Sequence, residues 1–168
     1  PPIPGLEQNM ALRNIKDLHR IETSLVNAEN ALVIGGGLLG LEIAESLKTK
    51  GVKVIVSEIA DRLLPNILNE KESAWLKNYL AENGLEVMTS CSVTQVSRNN
   101  GKYFAEMNGK TETFDVVLVS AGIRSNTEIA KAAGLNVQRG ICINDRFETS
   151  AKDVYAIGDC AELNGRVY

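Results

Sequence analysis

Three glycines and one acid carry the most chemical information in this chain: Gly35-x-Gly37-x-x-Gly40, with Glu58 placed 18 residues past the last glycine. Each glycine has its own task in a turn that holds a pyrophosphate. The first allows the tight exit from a strand, the second lets backbone approach the phosphates, and the third lets the following helix pack close to the sheet. Gly36, Leu38 and Leu39 fill the turn and are counted with it as contacts. The amides at the start of the helix, with about half a unit of positive dipole charge, then face the phosphates. Glu58 sits where a carboxylate can accept both hydroxyls of an adenosine ribose and repel a 2′-phosphate, which favours NAD over NADP, while Arg62 nearby is the one base that could serve a 2′-phosphate.

The turn needs a strand before it and a helix after it, and both are legible. Ala31-Leu-Val-Ile34 is a short apolar run, Gly40, Ile43, Ala44 and Leu47 share one helical face, Gly51 stops that helix, and Val52 to Val56 is a second apolar strand ending before Glu58. Strand, turn, helix and strand within about 28 residues make a βαβ unit. Ser73 to Asn83 predicts the next helix, with Trp75 and Tyr79 read as core, and Leu85 to Met88 a third parallel strand. Between Cys91 and Phe114, Asn100-Gly101 and Asn108-Gly109 flank short β-prone segments, which predicts a three-stranded antiparallel meander in place of a crossover helix. Asp115 to Val119 returns as a buried strand, Asn126 to Ala133 reads as a short helix and Asp153 to Ile157 as a final strand. Upstream, the prolines of residues 1–5 predict an extended connector, and Met10 to Leu25 has helical apolar spacing. The expected fold class is α/β: a Rossmann-like parallel sheet with an inserted β-meander.

Composition removes other classes. At 168 residues and 44% hydrophobic the chain can build a packed core, and a net charge of −3 leaves no basic excess for nucleic acid. The apolar-plus-glycine run from Ala31 to Leu41 is too short for a membrane span. Cys91, Cys142 and Cys160 have no disulfide or metal spacing and fit a reducing cytoplasm; Cys160 reads as a buried inert thiol. His19 has no companion nucleophile, so no side-chain catalyst and no metal site is expected. The turn alone leaves open a flavin-free NAD-dependent dehydrogenase, although no Tyr-x-x-x-Lys pair follows Tyr79, Tyr103 or Tyr155. It also leaves open a nucleotide-sensing or S-adenosylmethionine-binding domain.

Further segments resemble the FAD-dependent pyridine nucleotide-disulfide oxidoreductases. Val117-Leu-Val-Ser-Ala121-Gly122-Ile-Arg-Ser-Asn126 is similar to that family's strand and loop at the junction of its NAD and FAD domains. Thr149-Ser-Ala-Lys-Asp-Val-Tyr-Ala-Ile-Gly158-Asp159 is similar to its second FAD motif, and Pro1-Pro-Ile-Pro-Gly5 to the stretch leaving the first FAD segment. Gly35 to Glu42 and the run from Ala60 through Arg62-Leu-Leu-Pro65 to Leu68 resemble NADH:rubredoxin oxidoreductases and the flavin-containing part of NADH-dependent nitrite reductases. Leu38 stands where disulfide reductases often carry an aromatic gate.

The resemblance implies hydride transfer from NADH to FAD, with electrons passed on to an acceptor protein or domain. It implies cofactor contacts at Glu42, facing nicotinamide and flavin, at Ala121 and Gly122, and at Gly158 and Asp159, the aspartate at the flavin's ribityl-pyrophosphate region. It also implies a division into a connector and helix from the FAD domain (residues 1–26), an NAD(H)-binding domain (27–122) and a return segment to the FAD domain (123–168). The first FAD segment and any redox dithiol would lie in other polypeptide, so the FAD site is expected to be incomplete in these residues and the piece inactive alone.

Overall fold

Four apolar residues in a row, Ala31 to Ile34, suit a strand buried on both faces. In the computed structural model, which describes residues 3–6, 11–122 and 124–167, Ala31, Leu32 and Val33 have no exposed surface. The chain divides into two compact units, Pro1–Gly122 and Ile123–Tyr168. The first runs α1 (Ile15–Ser24), β1 (Asn30–Ile34), α2 (Leu38–Thr49), β2 (Lys53–Ser57), α3 (Glu70–Glu82) and β3 (Glu86–Met88). It continues with β4 (Val93–Asn99), β5 (Lys102–Met107), β6 (Lys110–Phe114) and β7 (Val116–Val119). A parallel sheet in the order β3-β2-β1-β7 puts β1 inside, with Ile34 opposite Ser57 on one side and Val119 on the other.

Alternation along β1 divides the core. Ala31 and Val33 pack with Ile43, Ala44 and Leu47 of α2 and Ile21 of α1, while Leu32 and Ile34 pack with Val93, Val96, Ala105, Met107 and Phe114 of the meander. The sheet is therefore covered by helices on one face and by the antiparallel β4-β5-β6 sheet on the other. Both meander turns have the two positive φ values that Asn-Gly supplies: 48° and 79° at Asn100-Gly101, 47° and 76° at Asn108-Gly109. Asp115 fixes the base of the sheet by accepting the amides of Glu29 and Asn30 at 3.0 and 3.2 Å, and it pairs with Lys102. The Lys102 hydrogen bond holds the Asp115 carboxyl below its usual range, and the same bond raises the Lys102 ammonium.

Several expectations need correcting. Instead of extending, the connector forms a turn at Ile3 to Leu6, closed by Leu6 N–H to the Ile3 carbonyl at 3.2 Å, because Pro4-Gly5 with φ of 81° at Gly5 suits a type II turn. Pro1, Pro2 and Met10 lie outside the described residues. The first helix begins at Ile15, where Asn14 caps it by accepting the Asp17 amide. The third helix begins one turn early, at Glu70, through a capping box between Asn69 and Glu72. Trp75 and Tyr79 are not core: they are 66% and 49% exposed and stack on each other with ring centroids 5.4 Å apart. Leu76 and Leu80 are the residues of α3 that meet the core.

The second unit contains α4 (Glu128–Ala132), β8 (Ile141–Cys142), a 3-10 turn at Gly158–Cys160, β9 (Ala161–Leu163) and β10 (Arg166–Val167). The expected strand from Asp153 to Ile157 does not form. Asp153 is left-handed, with φ of 61°, and the only ladder contact of the segment is the bridge of Tyr155 to Glu148. A strand needs a neighbour along its length, and the stretch Phe147–Thr149 beside it supplies only two backbone hydrogen bonds, Thr149 N–H to the Val154 carbonyl at 2.9 Å and Ala156 N–H to the Phe147 carbonyl at 3.0 Å. Cys160 is half-buried rather than buried, and its thiol donates to the Ile157 carbonyl at 3.3 Å. Among the described residues no helix is long and apolar enough to cross a membrane, and no group of His, Cys, Asp and Glu could hold a metal ion.

Candidate functional site

The glycine turn lies at the carboxyl edge of the parallel sheet, where β1 meets neighbours reached in opposite directions; open α/β sheets bind ligands at such a reversal. Gly35 donates to the Ser57 carbonyl at 2.7 Å and has φ of 110°. A Cβ on it would lie 2.3 Å from the Ser120 carbonyl oxygen, and one on Gly40 would lie 2.0 Å from the Gly35 carbonyl oxygen. These two glycines are thus required by the protein's own backbone. Gly37 is different: a Cβ there would meet nothing within 4 Å.

Gly37 is also the N-cap of α2, and no side chain caps that helix, whereas Asn14 and Asn69 cap α1 and α3. The first amides of α2 are therefore available to a ligand beside an open glycine, with no acid in the first turn. Glu58 closes the opposite side. Its Oε2 accepts the Gly36 amide at 2.7 Å and its Oε1 the Ala60 amide at 2.7 Å, which orients the carboxylate and leaves lone pairs on each oxygen. Gly36, Gly37, Leu38 and Glu58 face Leu64, Pro65, Asn66 and Ile67 across a slot of about 250 Å³.

The structure thus brings Gly35, Gly36, Gly37, Leu38, Gly40 and Glu58 together, and the Ala121 amide follows Ser120 beside Gly35, 3.1 Å from where its Cβ would stand. Gly122 is exposed just beyond, with φ of 83°. Leu39 and Glu42 line a different groove, between α1 and α2, with Leu18, Glu22 and Ile43. Arg62 is not part of the slot; it lines a polar hollow under α3 with Asp61, Ser73 and Lys77, 3.6 Å from the Asp61 carboxylate. Gly158 and Asp159 are exposed in the second unit, where Ser125 donates to the Asp159 carbonyl at 2.7 Å. The lip from Leu64 to Ile67 is not announced by the glycine motif, and Pro65 after the acid is the one local sign of it.

Among known families, residues 1–167 match the one described as pyridine nucleotide-disulphide oxidoreductase. The chain belongs to this family. Its curated relatives include the nitric oxide reductase FlRd-NAD(+) reductase of Vibrio vulnificus, 38% identical over 99% of this chain and 44% of its own length. The chain spans less than half the length of that relative. Among solved structures, an NAD-dependent persulfide reductase from A. fulgidus is 37% identical with a TM-score of 0.88, the match covering 96% of this chain and 31% of that one. An FAD-dependent pyridine nucleotide-disulphide oxidoreductase from Desulfovibrio vulgaris is 30% identical with a TM-score of 0.81, covering 96% and 43%. The α/β fold, with its parallel sheet and antiparallel three-stranded insertion, is that of these oxidoreductases.

Proposed function

We propose that the slot binds NADH and that the complete protein passes a hydride from it to FAD, and electrons onward to an acceptor protein or domain. The observation that carries this reading is the oriented Glu58 carboxylate beside the open face of Gly37 and the uncapped start of α2. The amides of Leu38 and Leu39 receive the pyrophosphate, and Glu58 accepts the adenosine ribose hydroxyls and disfavours a 2′-phosphate. Arg62, turned into its own hollow, is left out of the nucleotide contacts. Glu42, exposed on α2 along the groove against α1, is assigned to the nicotinamide end, as is the exposed backbone at Ala121 and Gly122.

Flavin, when bound, supplies the hydride acceptor and the relay of electrons, so no side-chain acid or base in this chain is needed for the transfer. Gly158 has φ of 74° and nothing within 4 Å of where a Cβ would stand, which leaves open backbone beside Asp159 for the ribityl-pyrophosphate region. On this reading residues 123–168 belong with an FAD domain and 27–122 form the NAD(H) domain. Residues 1–26, expected with the FAD domain, instead go with the NAD(H) domain, since α1 packs Ile21 into its core. The Vibrio relative, an FlRd-NAD(+) reductase, supports a partner protein as acceptor, and three free cysteines support the cytoplasm. The test is titration of NADH, NADPH and S-adenosylmethionine into the protein, followed by flavin absorbance of the full-length polypeptide. Tight NADH, weak NADPH, no S-adenosylmethionine and a yellow protein bleached by NADH are expected. Absence of NADH binding, or a folded full-length protein that takes up no flavin, overturns it.

A further inference from the structure

Leu63 and Gly36 share one volume. Leu63 has no exposed surface and packs in the helix-side core with Ile43, Val54 and Val56. A Cβ built on Gly36 would lie 2.7 Å from Leu63 Cδ2, so the turn has a glycine where the leucine arrives. Directly after Leu63 the backbone reverses: Leu64 has φ of 49°, and its carbonyl accepts the amides of Ile67 and Leu68 at 2.9 Å each. That reversal sends Leu64 to Ile67 along the far lip of the slot. Upstream, the segment is tied down at Ala60, which donates to Glu58 and accepts from Ser90 at 2.7 Å. Among the described residues no hydrogen bond joins residues 63–67 to the glycine turn. The gap between lip and turn is therefore set by side-chain packing, and Leu63 is the side chain between them.

We propose that Leu63 is a positioning residue that sets the width of the slot, and with it the affinity for the adenosine-pyrophosphate half of the dinucleotide. The inference rests on the NADH reading above. Leu63 touches no ligand, since it has no exposed surface. It acts because interiors are packed to crystal-like density, and a vacated or overfilled volume moves the elements on either side.

The experiment measures dissociation constants for ADP-ribose and reduced nicotinamide mononucleotide in the full-length polypeptide, with thermal unfolding alongside. The variants are Leu63→Ala, Leu63→Met, Gly36→Ala and Gly36→Ala combined with Leu63→Ala. Leu63→Ala is expected to weaken ADP-ribose by about tenfold and leave the mononucleotide unchanged. Leu63→Met, which conserves volume, keeps the native affinity. Gly36→Ala weakens ADP-ribose because its methyl displaces Leu63. The double variant recovers most of that loss, the methyl now occupying vacated space, with the remainder due to Glu58 Cβ 3.1 Å away. Leu63→Ala lowers the melting temperature on either account, because it empties a fully buried site. A general loss of core packing would instead weaken both ligands together, with no recovery in the double variant. Equal losses for the two ligands, or additive losses in the double variant, overturn the role of Leu63. If the native protein binds no ADP-ribose, the NADH reading falls and this inference with it; if it binds and Leu63→Ala binds equally, only this inference falls.

Discussion

The Glu58 carboxylate accepts the Gly36 amide proton at 2.7 Å across 22 residues of chain, joining the end of β2 to the turn after β1. With its second oxygen held by Ala60, the carboxylate is oriented before any nucleotide arrives. A group already ordered loses less entropy on binding than one that must be fixed in the complex.

Replacing Glu58 tests that relationship. Charge-assisted hydrogen bonds are worth about 1.5 to 3 kcal/mol each, so Glu58→Ala should weaken NADH by tenfold or more. NADPH, which the carboxylate repels, should lose less or gain. Fluorescence titration of both nucleotides checks this, and equal affinities in the native protein would contradict the assigned preference.

The glycines should separate into two kinds. Gly37→Val puts its Cβ where nothing stands within 4 Å, so the melting temperature should fall by no more than the loss of a glycine N-cap on α2 while NADH binding is lost. Gly35→Ala forces a Cβ to 2.3 Å from the Ser120 carbonyl at φ of 110°, so it should lower the melting temperature as well. Binding and melting curves on both variants decide; normal NADH binding by folded Gly37→Val would remove the pyrophosphate from that position.

Asp115 should give the fold an acid-sensitive base. Its carboxyl is held below the ordinary 3.8 by the Lys102 hydrogen bond, so its support is complete above 3.8 and is lost as pH falls through the lowered folded value. In urea unfolding, the stability gap between the native protein and Asp115→Asn should be constant near neutrality and shrink below pH 3.8. A gap unchanged in acid would count against it.

Trp75 should report on solvent rather than on the core. As the single tryptophan, 66% exposed, it should be readily quenched by acrylamide in the folded protein. Trp75→Ala should change stability by no more than the stacking with Tyr79, about 0.5 to 1.5 kcal/mol, and Leu80→Ala by about 2 kcal/mol. Protection from acrylamide would show the aromatic pair covered.

What the sequence determined by itself is what short-range sterics and periodicity impose. Gly35-x-Gly37-x-x-Gly40 between an apolar strand and a helix face, the Asn-Gly pairs of the meander, and the order of strands and helices all follow from positive φ, close backbone approach and residue spacing. These are properties of a few adjacent residues. Tertiary structure decided whatever depends on which surface lies opposite. Trp75 and Tyr79 have helical spacing like that of Leu76 and Leu80, but only the leucines meet the helix-side core. Arg62 is close to Glu58 in sequence, yet it lines the hollow under α3 while Glu58 lines the slot. The run from Asp153 to Ile157 has strand composition but meets only a single bridge at Glu148, and a ladder needs a partner along its length.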